Sequence, residues 1–155
     1  MFTQRTEFSE NFPELKRVLN DGVRYYVQEG MQVAYPSVTS VLSHANKDKF
    51  TAWRKRVGEE EAERVKKHST TRGTDLHLLF EHYLQNDDVT GMREFKVPLV
   101  NLMFHYGKPH LDSRLDNIYN QETQMLSHKL GLAGTVDLIC EVDGELAIVD
   151  FKTSV

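Results

Sequence analysis

Residues 134–154 read GTVDLICEVDGELAIVDFKTS, and this stretch decides the fold. Leu138-Ile-Cys-Glu-Val142 and Leu146-Ala-Ile-Val149 are β-rich runs with Asp143-Gly144 between them. Two such runs joined by Asp-Gly predict a β-hairpin, because both turn positions suit residues that tolerate positive φ. A hairpin sets the start of its first strand beside the end of its second. Asp137 and Asp150 are therefore expected together at one end of a sheet, with Lys152 alongside. Side chains alternate along a strand, so Asp150 and Lys152 point one way and Phe151 the other, with the Phe151 C=O between the two polar groups. Carboxylates suit a hard cation such as Mg²⁺ or Mn²⁺, held by one or two acidic groups plus substrate phosphate. A lysine beside them can polarise a water for attack on phosphorus, and paired ions ~4 Å apart stabilise the attacking and leaving oxygens. The motif D-x-K alone also describes the solvated end of an edge hairpin. Gly134-Thr-Val-Asp137 and the hairpin spacing turn the reading toward a nuclease, with Asp137, Asp150 and Lys152 catalytic and the Phe151 C=O as a further metal ligand.

The rest of the chain supplies helices and a second hairpin. Phe12-Pro-Glu-Leu-Lys-Arg-Val-Leu19 reads as a short helix, with Pro13 tolerated at its start. Val23–Gln28 and Met31–Tyr35, separated by Glu29-Gly30, read as a hairpin. Ser37 before Val38, Val41 and Leu42 is placed as an N-cap. Phe50, Trp53, Val57, Ala62 and Val65 are spaced for one helical face over 47–67, and Gly58 marks a bend. Gly73-Thr74 starts a helix to about Leu84, on which Asp75 and His82 face solvent. Asn86-Asp-Asp is a turn, 97–106 a buried helix broken by Gly107-Lys-Pro109, and Ile118–Leu126 a strand ahead of the hairpin. Helices first, then at least three consecutive strands, give an α+β (mixed α/β) fold.

One domain spans 1–155, with an N-terminal hairpin and helix (1–45), a helical region (46–110) and a catalytic sheet (115–155). A chain of 155 residues, 39% apolar and 27% charged, is ordinary for one globule with its own core. No apolar run approaches the ~20 residues of a membrane span, and the first ten residues do not read as a targeting peptide. Cys140 is the only cysteine, so a Cys-rich zinc site and an intrachain disulfide are excluded. The expected setting is a reducing cytoplasm, bacterial or that of a phage-infected cell. The net charge is −4, yet residues 46–73 carry nine Lys/Arg against five Asp/Glu. A basic segment on an acidic body is compatible with a groove that tracks phosphates, and equally with a solvated helix face.

With these pieces in place, the chain resembles the PD-(D/E)XK nuclease superfamily in its RecB-like exonuclease branch. It is most similar to the mitochondrial genome maintenance exonuclease group and its bacteriophage relatives. The resemblance spans roughly 23–154 and rests on a combination: Tyr35-Pro-Ser-Val-Thr-Ser-Val-Leu42, Trp53 and Gly58, Arg72-Gly-Thr-Asp-Leu-His77 with Glu81, Glu122 ahead of Gly131-Leu-Ala-Gly134, and the hairpin itself. It implies a short central mixed sheet flanked by helices, a restriction-endonuclease-like core. It also implies that His77 of the G-x-x-x-H element joins the metal site. His77 and Glu81 are four apart and share a helix face, so Glu81 orients His77, lines the channel, or forms a plain helix pair. Glu122 is a third acidic ligand or an exposed strand glutamate. Relatives continue past the equivalent of Val155 with a Gln-bearing helix and further strands, so a fragment or a trimmed natural variant is expected.

The activity implied is Mg²⁺- or Mn²⁺-dependent exonucleolytic cleavage of DNA, on single-stranded ends, in repair or recombination. The product would carry a 5′-phosphate. Two other readings stay open: a non-catalytic nucleic-acid-binding or assembly module, and a structure-specific endonuclease acting on circular or branched DNA. For substrate, the helix N-terminus at Ser37 offers N–H groups to phosphate, and Ser37, Thr39, Thr153 and Ser154 add hydroxyls. Tyr35 and Trp53 offer stacking surfaces, although an aromatic is by default a core residue and core is the favoured reading for Trp53. Arg54, Lys55, Arg56 and Arg72 are the candidate backbone binders.

Overall fold

Residues 142–145 show how local chemistry sets the architecture. In the computed structural model, which describes residues 1–5 and 12–153, Val142 pairs directly with Glu145. The two intervening residues, Asp143 (φ 53°) and Gly144 (φ 83°), both take the left-handed conformation of a tight hairpin turn. The described chain runs β1 (Thr3–Gln4), β2 (Leu15–Asn20), β3 (Val23–Gln28), β4 (Ala34–Pro36), α1 (Val38–Ala45), α2 (Lys47–Val57), α3 (Glu59–Leu84), α4 (Pro98–Arg114), β5 (Leu115–Ser127), β6 (Leu132–Val142) and β7 (Glu145–Val149). A 3-10 turn at Glu94–Lys96 precedes α4. One sheet has the order β1-β5-β6-β7, parallel only at β1–β5, and a second, antiparallel sheet has the order β2-β3-β4. This is an α+β fold. Among the described residues no helix is long and apolar enough to cross a membrane.

The structure revises four local expectations. Phe12–Leu19 is not a helix: Leu15–Asn20 is a strand, and Asn20 pairs with Val23 across a second tight turn at Asp21-Gly22. Eight residues are too few to separate a period of 2 from 3.6, and pairing with β3 decides the matter. The helix expected from Gly73 begins at Glu59 and runs through Gly73 without a break. The break expected at Gly107-Lys-Pro109 does not occur, and α4 continues to Arg114. Pro109 and His105 are both exposed, so the carbonyl freed by the missing N–H can be hydrated. Asp75 is not solvated. It is 9% exposed and faces Arg93 at 3.7 Å. Gly58 does separate α2 from α3, as its place in the sequence indicated.

Two clusters form the main core. Leu76, Leu79 and Phe80 of α3 pack with Val100 and Phe104 of α4. Leu84, Ile118, Leu138 and Cys140 join Phe2 between helix and sheet. Burying one such Phe or Leu contributes roughly 1.5–3 kcal/mol. Phe151 packs against both clusters, with its ring centroid 4.9 Å from that of Phe80. The start of the chain is pinned to the end of α3 by paired bonds between Phe2 and Asn86, at 2.7 and 2.9 Å. The smaller sheet packs Leu15, Tyr26 and Tyr35 around Ala133 of β6. Ser37 bridges to Ala133 as well, so both sheets meet at β6.

Candidate metal centre

The half-buried ring of Phe151, packed against both core clusters, fixes the backbone where the site is built. Its N–H donates to Asp137 Oδ2 at 2.7 Å, and its C=O accepts from His77 Nε2 at 2.9 Å. A carbonyl only accepts, so the bond requires the proton on Nε2. In the neutral ring this leaves the Nδ1 lone pair facing Asp137 Oδ2 at 3.6 Å. Asp137 is 13% exposed at its side chain and His77 30%. Each is held by a different element, β6 and α3, and the chain after β7 ties them together.

Glu122 completes the group from β5. It stands opposite Asp137, between the Gln121–Leu138 and Thr123–Val136 pairs. Its φ is 47°, left-handed for a non-glycine residue inside a strand. Glu122 is exposed, but partial desolvation of its carboxylate raises its pKa, the negative charges of Asp137 and Glu81 raise it further, and His77 and Arg17 pull it back. One ligand atom from each of His77, Glu122 and Asp137 lies within 4.8 Å of the others. Ligands on a single Mg²⁺ sit about 2.1 Å from the ion, hence no more than about 4.2 Å apart. Small side-chain movements therefore suffice to close the set on one cation. With the proton on Nε2, the His77 atom free to ligate is Nδ1, on the side of Asp137, and the bond to the Phe151 carbonyl holds the ring in that orientation. Two carboxylates, an imidazole and a carbonyl fit a divalent cation of the Mg²⁺ or Mn²⁺ type.

Asp150 and Lys152 stand apart from this group. Their side chains project together and form an ion pair with each other, 56% and 70% exposed. The carboxylate of Asp150 does not belong to the 4.8 Å cluster. Arg72 donates to Thr153 O at 3.4 Å, and its buried Nε has no partner. Gly73 beside it faces the chain after Lys152, and a Cβ there would meet Thr153 Oγ1 at an ordinary 3.6 Å. Glu81 sits one turn beyond His77 and acts on Glu122 through its charge.

The N-terminal residues proposed for substrate have structural duties. Tyr35 is 7% exposed and its hydroxyl bonds His128 Nδ1 at 2.7 Å, which leaves no open face for a base. Ser37 is fully buried and its Oγ caps α1 by accepting from Ser40 N at 3.0 Å. Thr39 is exposed, with its Oγ1 3.0 Å from Ser37 Oγ. Arg54 is neutralised by Glu59 and Glu63 at 2.6 and 2.5 Å, whereas Lys55 and Arg56 are exposed. Ser154 lies outside the described residues.

One residue near the site was missed in the sequence. Arg17 of β2 donates to Thr135 Oγ1 at 3.4 Å and lies 5.8 Å from the centre of the Tyr26 ring. Thr135 is two residues before Asp137 on β6, on the same face of the strand. The available signal was Asp21-Gly22 between two six-residue runs. It marks 15–20 as a strand and puts Arg17 on the same side as Leu15. Compared with protein-family models, with curated proteins and with solved structures, the chain shows no significant match.

Proposed function

We propose that this chain is a divalent-metal-dependent nuclease acting on DNA, an exonuclease that takes single-stranded ends. The observation that carries the reading is the meeting of His77, Glu122 and Asp137 beside the Phe151 C=O. Mg²⁺ or Mn²⁺ held there would polarise a phosphoryl oxygen and ease ionisation of a water. The protein's own groups do the remaining work. Asp137, oriented by the Phe151 N–H, and Glu122 hold the cation side of the site. His77, its Nε2 proton on the Phe151 carbonyl, would offer Nδ1 to the cation. Lys152 positions the attacking water or balances charge at phosphorus, and Asp150 adds a carboxylate when its pairing with Lys152 opens. Arg17 and Arg72 offer positive charge to substrate phosphates.

The test is cleavage of labelled single-stranded DNA with Mg²⁺ or Mn²⁺. Loss of an outer partner of a metal site costs about 10–100-fold, so Asp137→Asn is expected to lower the rate at least about a hundredfold. Lys152→Ala is expected to fall in the same range. Unchanged activity in either variant removes the assignment. Cleavage of circular single strands would instead mark a structure-specific endonuclease.

The exposed Asp150–Lys152 pair favours a second reading, a non-catalytic nucleic-acid-binding or assembly module. Such a module would show no rise in Tm with Mn²⁺.

A further inference from the structure

α3 brings His77 into the metal centre, and the same face of that helix leads away from it. Gly73, Thr70 and Lys66 precede His77 by four, seven and eleven residues, the spacing of one helical stripe. At 1.5 Å per residue the stripe runs about 16 Å. It ends in a cleft of about 430 Å³ between α2 and α3, whose lining includes Lys49, Phe50, Trp53, Val65, Lys66 and Thr70. No acidic residue lines the cleft. Phe50 and Trp53 meet edge to face with ring centroids 5.6 Å apart, and Phe50 is 55% exposed. No residue of α2 is fully buried and Trp53 is half-buried, so both rings keep an open surface. Among the described residues neither Lys49 nor Lys66 has an acidic partner.

We propose that this cleft is a base-stacking subsite for single-stranded nucleic acid, in which Phe50 and Trp53 take a nucleobase and Lys49 and Lys66 take the flanking phosphates. Two ammonium groups on an apolar floor, with no carboxylate, match a flat aromatic ligand that carries negative charge. A base in a duplex is stacked on its neighbours and does not reach such a platform. The helical stripe leads from the cleft toward the metal centre, and the choice of nucleic acid rests on the nuclease reading. Binding itself needs no metal, which separates the two tests.

Trp53 is the only tryptophan in the chain, so its fluorescence reports directly on the cleft. The intact chain is titrated in EDTA with oligothymidylate, with an abasic strand of equal length and with a blunt duplex. Oligothymidylate is expected to quench Trp53 saturably, and the abasic strand and the duplex are not. Base–aromatic stacking of about 1–3 kcal/mol predicts that Phe50→Ala weakens binding about tenfold. Phe50→Tyr keeps the ring and retains affinity. Lys49→Ala and Lys66→Ala should each reduce the salt dependence of log K by about 0.7. Three results overturn the proposal: no binding of the oligonucleotide, unmoved Trp53 emission while labelled oligonucleotide anisotropy shows it bound, or equal quenching by the abasic strand. Emission that changes with protein concentration alone also overturns it, in favour of a second copy of this chain in the cleft. None of these outcomes bears on metal-dependent cleavage, which the Asp137→Asn assay reads.

Discussion

Glu122 burdens the fold twice. A left-handed φ of 47° costs a non-glycine residue of order 1 kcal/mol, and such strain clusters at working sites. Its carboxyl pKa is raised, first by partial desolvation and then by Asp137 and Glu81. A raised folded-state value favours the neutral form on folding. That stabilising contribution is complete below the ordinary value of 4.5 and is lost as pH rises through the raised one. At neutral pH the ionised group therefore weakens the metal-free protein by a small amount, because solvent screens the exposed carboxylate, and a bound cation reverses the sign. Glu122→Gln is expected to melt above the parent in EDTA at neutral pH, with the advantage fading as pH falls toward 4.5. The same variant should lose most of the rise in Tm that Mn²⁺ gives the parent. Melting curves with EDTA and with Mn²⁺ across this range check both. A variant that melts lower in EDTA and responds normally to Mn²⁺ would place Glu122 outside any cation site. At this scale the sequence was informative where chemistry is local. His77 and Asp137 stood in short motifs, and Glu122 stood one strand earlier. Asp21-Gly22 could have placed Arg17 on a strand, but not beside Thr135, which lies 118 residues away in the chain.

The packing of α3 on α4 explains both the misread helix boundary and the rigidity of the site. A Cβ built on Gly107 would stand 2.7 Å from Phe80 Cζ, far inside contact distance. Phe80 is itself enclosed by Phe104 and Phe151, with ring centroids 5.5 and 4.9 Å away. Gly107 is thus a point of close helix approach, although Gly-x-Pro in isolation reads as a stop. Local propensity put the helix end there, and burial of Val100 and Phe104 before it and packing of Leu111 after it overrode the signal. Gly107→Ala should destabilise by about 1–3 kcal/mol through overpacking, outweighing a helix-propensity gain of up to about 1 kcal/mol. Because Phe80 touches Phe151, the displacement should also reach the backbone that bonds Asp137 and His77. Denaturant titration and the Mn²⁺-dependent rise in Tm are expected to fall together. A gain in stability would show that the Phe80 ring moves aside freely. Gly73 is the contrasting case: it was read as a helix start, yet α3 runs through it, and a Cβ there would meet Thr153 Oγ1 at an ordinary contact distance of 3.6 Å.

Taken whole, the molecule is organised around β6. That strand pairs with β5 on one side and β7 on the other, carries Asp137, and receives the small sheet through Ser37–Ala133. The hairpin that contains it was legible because Asp143-Gly144 enforces a local turn. The small sheet's docking was not, since it depends on Tyr26, Tyr35 and Ala133 meeting across about a hundred residues of chain. Cys140 lies two residues before the end of this strand, with no exposed surface. Burial, and then the neighbouring Glu141 charge, push its thiol up to about 11 from 9.0. By the same linkage its contribution to stability is full below 9.0 and is lost as pH rises through about 11. Cys140→Ala should therefore show a shallower alkaline loss of stability over that interval, from a baseline lowered by the cavity. In the parent at mildly alkaline pH, a thiol reagent should label Cys140 only through opening of the sheet. Its rate should then rise with denaturant as steeply as global unfolding does, and Mn²⁺ should slow it by the factor that metal binding adds to stability. Labelling that ignores both denaturant and Mn²⁺ would show that β6 opens locally, and a metal centre anchored on Asp137 would then lack the rigid strand this fold gives it.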